Sequence, residues 1–311
     1  MRIAILGATS NIAKDLIQLF SAEDTAELVL FARRPHVISD WMLQYKIKSC
    51  YPIYDFASFK NDQYFDALIN FVGVGNPAQT AAMGASIFEA TLRYDQMSLD
   101  YLELHPECRY IFFSSGAVYG GNFDKPVTEY SQALLPVNEI GDQHWYAVAK
   151  LYAEYRHRAH TNKAITDIRV FNYFSRSADL NARFLITDLL RSIRDREIFR
   201  TSTANITRDY AGPREIYQLI RRILDTPAVN CAVDCYTISP IDKFTMLKVL
   251  SSAFGLRYEL VPQATGMAAT GNKTHYYSLN RRASEIFGYQ PQLTSQEVVL
   301  LESTGILGCC P

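Results

Sequence analysis

Tyr146 and Lys150 stand four residues apart in Tyr146-Ala147-Val148-Ala149-Lys150. Upstream, Ser114-Ser115 follows the apolar run Tyr110-Ile111-Phe112-Phe113. On a helix an i, i+4 pair shares one face, so a phenol and an ammonium would meet the same partner. A free phenol titrates near 10 and carries protons poorly at neutral pH; a neighbouring ammonium, together with a cationic hydride carrier, would favour its anion and lower that value. With Ser115 hydrogen-bonded to the reacting oxygen, the trio suits proton movement at a carbonyl or an alcohol as hydride arrives or leaves. Ser115, Tyr146 and Lys150 are therefore the candidate catalytic residues.

Such a trio needs rigid elements beneath it. Apolar runs bounded by Gly, Pro, Asn or charged residues predict buried strands at 2–6, 27–31, 51–54, 66–72, 109–113 and 165–171. Helical patterns lie between them at 11–22, 78–104 and 142–160. Strand and helix alternating this often imply an α/β fold, a doubly wound parallel sheet with helices on both faces. After about Phe174 the rhythm changes to a helical stretch at 181–194, short strands, and a late helix at 280–287 closed by Gly288. The division read from this is a dinucleotide-binding Rossmann domain at 1–174 and a smaller mixed substrate-binding subdomain at 175–311, leaving open segments that return to the first unit.

The turn after the first strand, Gly7-Ala8-Thr9-Ser10-Asn11-Ile12-Ala13, opens the first helix. A dinucleotide site needs a tight turn there and a helix N-terminus facing the pyrophosphate. Gly7 supplies the turn, while Ser10 and Ala13 are small enough for close approach. Gly7, Ser10, Asn11 and Ile12 are thus candidate cofactor contacts, with an ordinary strand-to-helix turn as the other reading. The second strand runs into Ala32-Arg33-Arg34-Pro35 rather than the acidic residue that suits NAD; Arg33 and Arg34 favour the 2′-phosphate of NADP, with NAD the alternative. Asp55, followed by Phe56, suits either an adenine amino group or a helix N-cap. Phe71-Val72-Gly73, ending the fourth strand, would lie beside the adenosine and ribose, and Lys150 would hold the nicotinamide ribose.

These residues carry a resemblance. The chain resembles the extended short-chain dehydrogenase/reductases of the nucleotide-sugar epimerase/dehydratase/reductase family. The matching features are the Gly7 loop, Ser114-Ser115 with Val118-Tyr119-Gly120, Tyr146-x-x-x-Lys150, Arg169-Val170-Phe171-Asn172, Arg208-Asp209-Tyr210 followed by Glu215, and the 280–289 segment. Their order is collinear over nearly the whole chain. The resemblance implies Ser115 rather than Ser114 as the catalytic hydroxyl. It also implies that Asn172 and Arg208 bind the phosphates of a nucleotide-sugar substrate, and that two copies pair through the helix bearing Tyr146, whose Ala147, Leu151 and Tyr155 permit it. Departures narrow the reaction. Gly116-Ala117 replaces the Asp-Glu pair of 4,6-dehydratases, so water elimination lacks its acid and base. The Cys and His of the 3,5-epimerising relatives are also missing. An NADP-dependent reductase of a keto-deoxy-sugar nucleotide is the reading taken; the alternative is a nucleotide-sugar 4-epimerase with tightly bound NAD, and a third is a non-catalytic dinucleotide sensor.

Composition agrees with a small-molecule enzyme. With 31 cationic against 32 anionic side chains, nothing favours coating nucleic acid or an acidic membrane. No apolar run approaches a membrane span, and the N-terminal apolar run is too short for a signal peptide, so a cytoplasmic location is expected. The six cysteines (50, 108, 231, 235, 309 and 310) form no metal-ligand spacing and are read as free thiols. No metal site is expected. His144, Arg176 and Arg183 are weaker candidates for the mouth of the site.

Overall fold

The computed structural model describes all residues except 25, 48–50, 74–79, 81, 122, 263–272 and 309–311. Seven parallel strands form one sheet: β1 (Arg2–Leu6), β2 (Glu27–Phe31), β3 (Ile53–Tyr54), β4 (Ala67–Asn70), β5 (Arg109–Ser115), β6 (Ile165–Val170) and a strand from later in the chain, Cys231–Asp234. The order across the sheet is the late strand, β6, β5, β4, β1, β2, β3. Winding therefore reverses between β1 and β4, and the crevice at their carboxyl ends is where open α/β sheets bind ligands.

Alternation along each strand splits the core in two. Ile3 and Ile5 point with Leu28, Leu30, Ile69, Ile111 and Ile168 into one layer. Ala4 and Leu6 point with Val29, Phe31, Leu68, Phe112 and Ile165 into the other. Each fully buried branched side chain contributes roughly 1.5–3 kcal/mol, so the two layers hold the sheet rigid. Helices α1 (Asn11–Glu23) and α2 (Pro35–Gln44) cover the first face. Helices α3 (Ser86–Leu104) and α4 (Asp142–Ala159) pack together over the second.

Several boundaries differ from the sequence pattern for local reasons. β4 stops at Asn70 because Asn70 Oδ1 accepts from the Val72 N–H at 2.8 Å and turns the chain outward. β5 runs on to Ser115 because Ser114 and Ser115 pair with Arg169 and Val170 of β6. Of the helix expected over 78–104, Thr80, Ala82 and Met83 are helical, the chain turns at Gly84-Ala85, and a long helix runs from Ser86; residues 78, 79 and 81 lie outside the described residues. The late helix begins at Arg282, since Asn280 Oδ1 accepts from its N–H, and ends at Gly288 in the left-handed region.

Beyond β6 the chain builds small sheets before and after its return to the large one. β7 (Asn172–Tyr173) pairs with β10 (Tyr210–Ala211). β8 (Ile198–Ser202) pairs with β13 (Arg257–Val261). β9 (Thr207–Arg208) lies between β12 (Ile241–Asp242) and β14 (His275–Tyr276), and the strand at Cys231–Asp234 is β11. Their own apolar core gathers Phe174, Leu189, Leu190, Tyr210, Met246, Leu247, Leu250 and Val299. Cys108, Cys231 and Cys235 are buried free thiols; Cys50, Cys309 and Cys310 lie outside the described residues. No described helix is long and apolar enough to cross a membrane.

A charged lattice joins α3, α4 and the sheet. The His157 ring lies between Asp167 (2.6 Å to Nδ1) and Asp95 (2.7 Å to Nε2). Arg158 meets Asp167 and Arg156 meets Asp95, each at 2.6 Å. Burial alone would push His157 down; the Asp167 and Asp95 carboxylates overcome it and hold the imidazolium up to about 9. A raised folded-state value stabilises most below the ordinary 6.5 and loses that contribution as pH rises through about 9. Unfolding free energy measured in urea is therefore expected to fall by about 3 kcal/mol between those limits. Asp167→Asn is expected to destabilise the protein and flatten that fall.

Candidate active site

At the switch point, Gly7 takes φ +81° and its N–H, with that of Ala8, donates to the Phe31 carbonyl at 2.9 and 3.1 Å. A Cβ at Gly7 would lie 3.0 Å from the Val72 nitrogen and 3.1 Å from the Phe71 carbonyl carbon. The turn after β1 is thus wedged against the segment after β4, and only glycine fits. Ser10 is the N-cap of α1 but its hydroxyl makes no capping bond, and no acidic residue occupies the first turn, where Asn11 is exposed and Ile12 half-buried. This terminus is electrostatically ready for a phosphate. Gly73 lies beside α4: a Cβ there would be 3.1 Å from Lys150 Nζ. These residues fit a dinucleotide laid across the β1–β4 crevice.

The remaining cofactor candidates flank that crevice. Arg33 and Arg34 are exposed after Ala32, Arg34 being the N-cap residue of α2, with Pro35 first in the helix. Asp55 caps the short turn Phe56–Ser58, its Oδ1 accepting from Ser58 N–H at 2.9 Å and Ser58 hydroxyl at 2.8 Å. Phe56 packs on Tyr94 with ring centres 4.3 Å apart.

Ser115 sits at the carboxyl end of β5, its Oγ accepting from the Ala117 N–H at 3.1 Å. The phenols of Tyr146, half-buried on α4, and Tyr276, buried on β14, both lie near that hydroxyl. Burial pushes Tyr146 upward and the nearby Ser115 hydroxyl pulls it back only in part. The ammonium expected to lower that phenol is engaged elsewhere: Lys150 Nζ donates to the Phe113 carbonyl at 2.7 Å and lies 4.2 Å from the centre of the Phe112 ring. Burial brings Lys150 down to about 8, against the opposing pull of Asp95, Asp167 and Glu154.

One turn beyond Lys150, Glu154 accepts from the Ser114 hydroxyl at 2.5 Å and from Arg169 at 2.5, 3.0 and 3.1 Å. Arg169 also donates to Tyr119 Oη at 2.8 Å and lies 3.6 Å from Asp234. Tyr119 donates to Asp234, as does Ser278 at 2.6 Å. This chain of contacts ties β5, α4, β6, β11 and the Tyr276 segment together. Gly116 completes it: a Cβ there would lie 2.5 Å from the Phe171 ring, which itself packs on Tyr119 and Tyr276.

The substrate candidates are placed less simply. Asn172 spends its amide on the Asp209 and Tyr276 carbonyls, at 3.2 and 3.4 Å, so it aligns Tyr276. Arg208 is buried, and its guanidinium carbon lies 5.9 Å from the centre of the Tyr276 ring. Arg176 is bound to Glu302 through its backbone N–H and its side chain, and Arg183 is exposed. His144 Nδ1 accepts from the Gly141 N–H at the start of α4 and serves as a cap. Ala147 is buried and Leu151 packs inward beside Tyr119 and Phe123, so only Tyr155 of that trio faces outward. Among the described residues no cluster could hold a metal ion.

Residues 3–236 match the model of the NAD dependent epimerase/dehydratase family. The chain belongs to this family. No curated protein sequence matches it. Among solved structures it is similar to UDP-N-acetylglucosamine 4-epimerase of Methanobrevibacter ruminantium, with 14% identity, 98% of each chain covered and a TM-score of 0.81. It is also similar to UDP-glucuronic acid 4-epimerase of Bacillus cereus, with 14% identity, 98% and 99% covered and a TM-score of 0.78. The UDP-glucose 4-epimerase of Bifidobacterium longum matches at 15% identity, with 98% of each chain covered and a TM-score of 0.76. At such identities these likenesses show the shared fold of the family.

Tyr276 is the residue that sequence reasoning missed. It stands in Lys273-Thr274-His275-Tyr276-Tyr277, with neither glycine loop nor i, i+4 pairing to mark it. Glu154 carried a usable signal, standing four residues after Lys150. Arg169→Met, which leaves Glu154 and Asp234 buried without their cation, is expected to cost about 3–5 kcal/mol in chemical denaturation.

Proposed function

We propose that the chain is a nucleotide-sugar 4-epimerase that works by reversible oxidation of one sugar hydroxyl. The observation that carries this reading is the approach of the Tyr146 and Tyr276 phenols to the Ser115 hydroxyl at the carboxyl end of the sheet, with only Gly116 and Ala117 following it. Elimination of water needs a further acid and base, and none stands there. Its structural neighbours include 4-epimerases in complex with NAD and with UDP-sugars, which supports NAD and a nucleotide-linked sugar as the ligands.

In this reading Tyr146 takes the proton of the C4 hydroxyl while Ser115 holds the same oxygen by a hydrogen bond. The bound dinucleotide supplies the acceptor, and later the donor, of the hydride. The 4-keto sugar then turns in the cleft, and Tyr146 returns the proton after the other face is reduced. Lys150 holds the ribose of the cofactor and favours the phenolate electrostatically once the ligands bring the groups together. Gly7, Ser10, Asn11, Ile12, Phe71, Val72 and Gly73 line the dinucleotide, and Arg208 meets the substrate phosphates. A homodimer through α3 and α4 is supported by Leu92, Tyr152 and Tyr155, which are exposed on those helices.

One feature favours a second reading. Ala32-Arg33-Arg34 follows β2 where an acidic residue would suit the ribose of NAD, and two exposed cations there suit NADP and a reductase of a keto-deoxy-sugar nucleotide. The cofactor itself separates the two. Denaturing the purified protein is expected to release NAD in stoichiometric amount for the epimerase. Protein purified free of cofactor that consumes NADPH with a keto sugar nucleotide would establish the reductase instead. Under either reading Tyr146→Phe is expected to lower kcat by about 10²–10⁴ with little change in substrate affinity, measured by steady-state kinetics and equilibrium binding.

A further inference from the structure

The buried lattice around His157 has a branch that reaches the dinucleotide crevice. Asn70 closes β4, and its amide nitrogen donates to the Tyr110 phenol on β5 at 2.8 Å. Tyr110 donates onward to Asp95 Oδ1 at 3.0 Å, and His157 Nε2 meets the same oxygen at 2.7 Å. At the other end Asn70 Oδ1 accepts from the Val72 N–H at 2.8 Å. Asn70, Tyr110, Asp95 and His157 are each at most 1% exposed, so water completes none of these bonds. Each link can point only one way. Both ring nitrogens of His157 face carboxylates, and the second oxygens of Asp95 and Asp167 are taken by Arg156 and Arg158. Asp95 therefore accepts and does not donate. Burial keeps the Tyr110 phenol protonated; its single proton goes to Asp95, and its oxygen is left to accept from an amide N–H. That fixes which end of the Asn70 amide faces Tyr110, so the amide oxygen must face Val72.

We propose that Asn70 and Tyr110 are positioning residues for the dinucleotide, holding Phe71-Val72-Gly73 in register with the Gly7 turn through the fixed polarity of this chain. The inference rests on the reading that places a dinucleotide in the β1–β4 crevice, and it adds two residues that act on that ligand through others. Turned over, the Asn70 amide would set its NH2 against the Val72 N–H, donor against donor, with no solvent to satisfy either. Val72 has little room to move in response, since its nitrogen already lies close enough to Gly7 to exclude a Cβ there, and Gly73 is similarly close to Lys150 Nζ. Polarity rather than bulk is the property at work. Asn70→Asp keeps the shape and the bond to Val72, yet offers Tyr110 an acceptor where a donor is required.

The test is equilibrium dialysis of the purified full-length protein against labelled NAD and labelled NADP, with stability followed in urea alongside. At neutral pH Asn70→Asp is expected to weaken binding of the preferred dinucleotide about tenfold or more, because two carboxylates then compete for one phenolic proton. Measured against the unaltered protein at each pH, that deficit is expected to close as pH falls towards about 5, since a protonated carboxyl both accepts and donates as the amide does. Tyr110→Phe, which frees the amide to turn, is expected to weaken binding about three- to tenfold with no such recovery. Unchanged dinucleotide affinity in either variant, even where stability falls, overturns the positioning role. A deficit in Asn70→Asp that stays constant with pH overturns it too. If Asn70→Asp does not fold, Tyr110→Phe decides alone. If the unaltered protein holds neither dinucleotide, the placement of a dinucleotide in the crevice falls as well.

Discussion

The buried ion pair between Glu154 and Arg169 is the constraint on which the rest of the site depends. Glu154 projects from the same helix as Tyr146 and Lys150, and Arg169 projects from the strand beside the one that ends in Ser115. Two such charges survive burial only because their remaining bonding capacity is met: Ser114 for the carboxylate, Tyr119 and Asp234 for the guanidinium. Bidentate geometry leaves little freedom of rotation between helix and sheet. The position of Tyr146 relative to Ser115 is therefore set by contacts that no substrate needs to touch.

The same network carries positional information to the far wall of the cleft. Asp234 receives Ser278, two residues beyond Tyr276, and Asn172 holds the Tyr276 carbonyl from the other side. A side chain contributed by the last fifth of the chain is thus fixed against a strand from its middle. Phe171 fills the space between Tyr119 and Tyr276, and the bare backbone of Gly116 makes room for it. Burial keeps the hydroxyls of Tyr119 and Tyr276 protonated, so they act here as neutral hydrogen-bonding groups.

Much of this was legible in the residues, for identifiable reasons. β1 and β2, each after a charged first residue, are continuous apolar runs, because strands buried on both faces have little polar side to show, and their observed limits match those runs. The turn at Gly7 and the spacing of Tyr146 and Lys150 are local features, so local pattern finds them. Tyr276 is not local. It reaches the site only through pairing of β14 with β9, a contact between segments nearly seventy residues apart, and such pairings leave no periodic trace. Asn172 shows a subtler limit: its type and place in the sequence suggest a phosphate contact, but its amide is committed to two backbone carbonyls. Asp55 supported two readings on residue type, and the structure shows its carboxylate capping the turn that follows it.

The late arrival of β11 has a consequence for how the protein is made. A ribosome releases β1 through β6, with the helix bearing Tyr146 and Lys150, well before Cys231–Asp234 exists. Until then β6 is an unpaired edge, and Arg169 and Tyr119 lack the Asp234 carboxylate. The growing chain must carry an open sheet edge and an incompletely neutralised cation through the synthesis of some sixty further residues, a period when exposed edges invite wrong partners. Completion of the seventh strand closes the edge and delivers the missing charge in a single event. Maturation of the candidate cleft is thereby tied to the emergence of β11 rather than to synthesis of the first six strands.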